Sequence, residues 1–315
     1  MRCDLHVHSL RSGDADLPVL RHFGRECYSE PRAVYDLALR RGMDLVTLTD
    51  HDTIEGALEI ASLPNTFVSE EVSLSLPGGR VLHVGALDIT ERQHDRIASL
   101  RTDAEAVFAY CAEQKIPACL NHLFSALTGD RATSDFPLAL TGGLSLIEGR
   151  NGMMNARIND YAMRAGRDAG LVPVGGSDAH TLASVASAYT VVEGARTRGQ
   201  FLEGLRKGFT IPAGGHGSYA KLTRDVALVF AAGYRENALA AFGGAAAWAR
   251  FATLLLALPI LPLIPVVTAF IYANETLFAE RHYRRFRSRH ETAAWARKPM
   301  GTWEGGAGAS AAVRP

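Results

Sequence analysis

Short apolar runs alternate with longer stretches of helical periodicity over the first 210 residues. Leu45-Val46-Thr47-Leu48 is a run of strand length and ends at Asp50-His51-Asp52. Residues 66–76 alternate as a strand carrying Glu70-Glu71; Pro77-Gly78-Gly79 is a turn signal, and Arg80 to Ile89 returns as a strand containing His83. Pro117 to Leu120 leads to Asn121-His122, Leu144 to Ile147 to Glu148-Gly149-Arg150, and Leu171 to Gly175 to Ser177-Asp178-Ala179-His180. Between these runs the apolar positions recur at helical spacing. Pro31 opens one helix, which Gly42 stops, and others cover Ile54–Leu63, Asn155–Ala169 and Arg198–Lys207. Glu91 to Lys115 reads as one long amphipathic helix, with Ile97, Leu100, Ala104, Val107, Phe108 and Cys111 on one face. A last strand spans Ala188 to Val192. Alternating strands and helices with polar residues just past the strand ends predict a parallel β/α barrel, whose site lies at the carboxyl ends of its strands.

Beyond residue 217 the pattern changes. From Ala238 to Ala273 the only charge is Arg250, and Phe251 to Ala273 has none, a length that could cross a hydrocarbon core. Pro259, Pro262 and Pro265 argue against one straight helix there. A basic run of Arg281, Arg284, Arg285, Arg287 and Arg289 follows. A re-entrant hairpin turning at the prolines, or shallow insertion helped by the basic run, would keep both the barrel and the arginines in the cytosol; two buried helices packed on the barrel are the alternative. The expected organisation is therefore a barrel over 1–217, a helical appendage over 218–298 with an apolar segment at 238–273, and a disordered Gly/Ala-rich tail over 299–315.

Composition narrows the function. With 47% hydrophobic residues there is ample material for a core. Residues 276–315 hold eight of the 33 Lys/Arg but only three of the 33 Asp/Glu, so the remainder is net acidic. That balance, without a basic stripe interleaved with aromatics, argues against nucleic acid as partner. Cys3, Cys27, Cys111 and Cys119 form no Cys-x-x-Cys pair, and polar sequence from residue 4 leaves no room for a secretory h-region, so a cytoplasmic catalytic part with reduced thiols is expected.

The chemistry gathers at strand ends. His6 and His8, two apart in the first strand, face the same way. Alone the pair is weak evidence. Six of the eleven histidines (His6, His8, His51, His83, His122, His180) fall at or near strand ends together with Asp50, Glu71, Asp178 and Asp14. Mixed histidine and carboxylate without thiolate suits a multinuclear site for divalent manganese, iron or zinc rather than a structural zinc.

These runs resemble the PHP (polymerase and histidinol phosphatase) superfamily: Asp4-Leu5-His6-Val7-His8-Ser9, Thr49-Asp50-His51-Asp52-Thr53, then Glu71, His83, Asn121-His122 and Gly176-Ser177-Asp178-Ala179-His180. The resemblance implies a distorted (β/α)7 TIM-like barrel. It also implies that His6, His8, Glu71 and Asp178 hold one ion and that Glu71 bridges to a second on His83 and His122. Asp14, His51 and His180 would surround a third. The first loop reads Ser12-Gly13-Asp14 where the family commonly reads Ser-Asp-Gly, and Glu71 is chosen over Glu70 because it directly precedes Val72. The implied activity is hydrolysis of a phosphate ester on a small metabolite or nucleotide, with Asp178 or His180 moving a proton and Arg150 and Arg11 contacting phosphate. A phosphodiesterase or nuclease, and a non-catalytic membrane-docking module, are the alternatives.

Overall fold

The computed structural model describes residues 1–13, 24–76, 80–126, 143–241, 255 and 258–297. Asp14, the turn at 77–79, part of the apolar segment at 238–273 and the tail at 299–315 lie wholly or partly outside these residues.

The chain begins with β1 (Arg2–Asp4) and a 3-10 turn at Leu10–Ser12, then α1 (Pro31–Arg40), β2 (Leu45–Val46) and α2 (Glu55–Ile60). Next come β3 (Ser69–Leu76), β4 (Arg80–Leu87), α3 (Glu91–Leu100), α4 (Ala104–Glu113) and β5 (Ala118–Leu120). After them run β6 (Leu146–Asn151), α5 (Ala156–Ala169), β7 (Val172–Gly176), β8 (Ala188–Val191), α6 (Arg198–Lys207) and β9 (Ile211–Gly214). Two helices close the chain, α7 (Tyr219–Ala241) and α8 (Ile264–Arg297), with a 3-10 stretch at Leu258–Leu263 before the second.

Most elements fall where the periodicity puts them, with three differences. The expected single helix over 91–115 is two. Thr90 and Gln93 form a capping box at α3, and Asp103 caps α4 by accepting from the Ala106 amide, so the chain restarts between them. Strand β9 pairs antiparallel with β8 and has no apolar run to announce it. The sheet is also not uniformly parallel. Strands order as β2-β1-β8-β9 and β3-β4-β5-β6-β7, and only β1/β2, β5/β6 and β6/β7 are parallel. Isolated bridges Val46–Thr66 and His51–Glu71 join the sheets on one side and Val7–Ala179 on the other. Among the described residues no continuous ladder closes them into a barrel, so the architecture is a mixed α/β fold of two linked sheets.

The apolar faces of these sheets are buried under the helices. The largest buried cluster contains Phe124 and also Ala279, Tyr283 and Phe286 of α8. Tyr283 stacks on Tyr161 at 4.4 Å between centroids, and Phe124 meets Tyr283 edge-on at 5.8 Å. Helix α7 is tied down by polar contacts instead. Buried Asp225 accepts from the Thr181 and Ser184 hydroxyls, and Lys221 Nζ donates to Gly152 O and Ser187 Oγ, both at 2.6 Å. Leu261–Ser288 is long and apolar enough, by length and composition, to cross a membrane.

Candidate metal centre

The first two histidines lie just past β1, on either side of the isolated bridge Val7–Ala179, and come together there. His6 and His8 are both buried and their Nε2 atoms lie 3.1 Å apart. Glu71 stands between them and the later histidines. Its Oε2 is 3.3 Å from His6 Nε2, 3.4 Å from His8 Nε2 and 3.2 Å from His51 Nδ1. Its Oε1 is 3.1 Å from His122 Nε2 and 3.6 Å from His83 Nδ1, and accepts from Asn121 Nδ2 at 2.7 Å. Asp178 Oδ1 lies 3.4 Å from His6 Nε2 and 3.5 Å from His8 Nε2. Because β3 alternates faces, Glu70 points the other way and meets His94 Nδ1 at 2.8 Å.

Three clusters of potential ligands result: His6, His8 and Glu71; His51, Glu71 and His83; and His8, His51 and His180. A fourth joins His6, His122 and Asp178. Glu71 Oε2 and His83 Nδ1 are buried without a hydrogen-bond partner, a costly condition that a bound cation would relieve. Divalent ions therefore fit this donor set.

The charges are arranged to match. Burial would raise the Glu71 carboxyl, but His6, His83 and His51 outweigh it and hold it well below the usual carboxylate range. Asp178 is lowered in the same way by His6, His8 and His122 against burial. Burial works against a charge on His6, yet Glu71, Asp178 and Glu148 raise its pKa well above the ordinary value. His8 goes the other way, to about 3, through burial and the neighbouring His180 and His51. His83 also falls to about 3, through burial opposed by Glu71. Neutral His8 and His83 are in the form that binds a metal.

The backbone around these groups is unusual. Asp178 and His122 adopt positive φ, 52° and 25°. Such conformations concentrate where tertiary structure overrides local preference. Gly176 sits so close to His6 that any Cβ would collide with the His6 Cβ and amide nitrogen.

Several polar groups hold the ligands and were not singled out by sequence. Glu148 Oε1 meets His6 Nδ1 at 2.9 Å, while its Oε2 accepts from the His122 amide at 2.9 Å and from Asn151 Nδ2 at 2.8 Å. Asn151 Nδ2 also donates to Asp178 Oδ2 at 3.0 Å. Asp4 accepts from the Ser177 and Ala186 amides, both at 2.8 Å, and burial pushes its carboxyl up to about 6. Asp50, grouped with the ligands from its place at a strand end, instead accepts from Ser9 and Ser12; Ser12 Oγ in turn lies 2.9 Å from His8 Nδ1. Glu26 is the other addition. Its Oε1 is 3.1 Å from His180 Nε2 and its Oε2 3.6 Å from His51 Nε2, and these histidines hold it far below the ordinary range against the effect of burial.

The two arginines expected at phosphate are placed elsewhere. Arg11 pairs with exposed Glu59 at 2.5 Å. Arg150 donates to Gly214 O at 2.8 Å and approaches His216 Nε2 at 3.4 Å, because alternation along β6 sends Glu148 inward and a register shift between Glu148 and Arg150 turns Asn151 inward in its place.

Comparison with known proteins finds one family match over a short segment and relatives of limited similarity. The PHP-associated family model matches residues 156–210, the segment that contains Asp178 and His180. Over that segment the chain is similar to PHP-associated proteins. An uncharacterized protein of Methanocaldococcus jannaschii is 35% identical over 72 residues, which is 23% of this chain and 41% of that relative's length. Two solved structures are similar at low identity. A candidate metal-dependent phosphoesterase of Bifidobacterium adolescentis is 17% identical with a TM-score of 0.40, covering 56% of this chain and 87% of that one. PsfC of Pseudomonas syringae is 17% identical with a TM-score of 0.49, covering 74% of this chain and 98% of that one.

Proposed function

We propose that the chain hydrolyses phosphate esters with divalent metal ions, acting as a phosphomonoesterase on a small phosphorylated metabolite or nucleotide. The observation that carries this reading is Glu71, each of whose oxygens faces its own set of histidines. A carboxylate so placed could be shared by two cations. His6, His8 and Asp178 complete one set, and His83 and His122 the other. His51 and His180 would serve a third ion, with Glu26 available as its acidic partner.

Ions held there would supply the positive charge that draws phosphoryl oxygens and activates the attacking water. The chain's own part is orientation and proton handling. Glu148 fixes His6 through Nδ1, leaving Nε2 directed at Glu71 and Asp178. Asn151 holds the outer oxygen of Asp178 so that Oδ1 faces His6 and His8. Glu26 raises the pKa of His180 against the effect of burial, which favours its protonated form, and His180 could pass a proton to a leaving oxygen when it is not itself a ligand.

The test is direct. Purified full-length protein with manganese should hydrolyse p-nitrophenyl phosphate faster than bis(p-nitrophenyl) phosphate or single-stranded DNA, and Asp178→Ala should abolish turnover. Preferential cleavage of the diester or of DNA would reassign the chain to the phosphodiesterase reading. Bound metal well below one equivalent, with no activity on any of the three, would overturn catalysis altogether.

A further inference from the structure

We propose that the outward face of α8 is a docking surface for an anionic lipid leaflet, with the helix lying in the membrane plane rather than crossing it. The proposal does not depend on the phosphoesterase reading. Exposed apolar side chains follow one another along this helix and the turn before it: Leu263 is 51% exposed, Val266 66%, Val267 47%, Phe270 73% and Leu277 54%. Arg281, Arg284 and Arg285 are exposed one to two turns further on. At the α-helical rotation per residue, the seven side chains from Val266 on fall within a stripe about 100° wide, which also takes in exposed Asn274. An apolar segment passing into a basic one on a single stripe matches the acyl boundary and headgroups of an anionic leaflet. A second protein copy would have to answer both halves of it.

The inward face explains why the helix lies flat. Ile264, Thr268, Glu275, Ala279, Tyr283 and Phe286 are buried along the opposite side. Glu275 accepts from Ser125 Oγ at 3.2 Å and from the Ala126 amide at 2.9 Å, just beyond His122. Asn155 Nδ2 donates to Thr276 Oγ1 at 2.8 Å. A spanning helix would carry these groups into hydrocarbon and strip the loop after His122 of its carboxylate partner. The apolar half of the stripe, Val266 to Leu277, is only about 17 Å long at 1.5 Å per residue, short of a bilayer core. Lying flat satisfies both faces at once. For the described part of the segment this favours shallow insertion over the re-entrant hairpin.

The experiment is vesicle co-sedimentation of the full-length chain, using phosphatidylcholine with and without phosphatidylglycerol. Binding should require phosphatidylglycerol, and alkaline carbonate should release it. Phe270→Glu combined with Val266→Glu should lower partitioning at least about tenfold, with an unchanged melting temperature because both side chains are exposed. Replacing Arg281, Arg284 and Arg285 by Ala should erase the preference for phosphatidylglycerol. Equal sedimentation of wild type and the Glu variant would overturn the proposal. So would carbonate-resistant retention, which marks a spanning helix, or concentration-dependent dimers without vesicle binding, which mark a second copy as the occupant.

Discussion

Replacing Glu148 by Gln tests whether the cluster is a metal centre through a residue that touches none of the proposed ions. One carboxylate oxygen faces His6 Nδ1, and the other accepts from the His122 amide and Asn151 Nδ2. A glutamine can keep only one of these arrangements. With two N–H donors already aimed at Oε2, its carbonyl must stay there and its amide N–H2 must turn to His6 Nδ1. Nδ1 then becomes an acceptor, and a neutral His6 has to carry its proton on Nε2, the atom that faces Glu71 and Asp178. That tautomer cannot bind a cation. Loss of such outer-shell support costs about 10- to 100-fold in metal affinity, or about 1.4–2.7 kcal/mol. The assay is metal content after dialysis against graded chelator, with a thermal melt as the folding control. Wild-type affinity in a correctly folded Glu148→Gln protein would refute the assignment of His6 Nε2 as a ligand.

Three further outcomes follow from other contacts. Glu26→Gln should weaken the ion proposed at His51 and His180 at least about tenfold, because a neutral amide replaces the carboxylate between them; unchanged metal stoichiometry in a chelator titration would leave Glu26 with a purely structural role. The hydrogen bond to Glu70 raises the pKa of His94, so the pair's contribution is complete below the ordinary value of 6.5 and lost as pH rises through the raised one. His94→Ala should therefore cost more stability at pH 6 than at pH 9, by about 0.5 kcal/mol given the half-exposed site, and a pH-independent difference in urea unfolding would contradict it. Phe124→Ala empties a fully buried site against Tyr161, Tyr283 and Phe286 and should destabilise by about 3–5 kcal/mol. A loss under about 1 kcal/mol would mean that α8 does not share this core.

Residue type and spacing along the chain were enough to find the cluster. His6 and His8 stand two apart in a stretch that reads as extended, which predicts a shared face, and His51, His122 and Asp178 follow short apolar runs that read as strands. Alternation said only that Glu70 and Glu71 face opposite ways; the choice of Glu71 rested on the family resemblance, through the valine that follows it. None of this required knowing how the sheets meet. What only the tertiary structure decided were contacts between residues far apart in the chain. Glu148 reaches His6 across 142 positions and Glu26 reaches His180 across 154; Glu148 stands at a predicted strand end but nothing local ties it to His6, and Glu26 lies in no pattern that marks it. Arg150 and Asn151 are neighbours, and the register shift in β6, not their composition, turned the amide inward and the arginine away. The mixed pairing of the sheets was likewise invisible, since a short apolar run reads the same in a parallel or an antiparallel ladder. For α8, hydropathy established that the helix is apolar. Burial of Glu275 and Tyr283 on one side and exposure of Phe270 on the other established which of its faces the protein already uses.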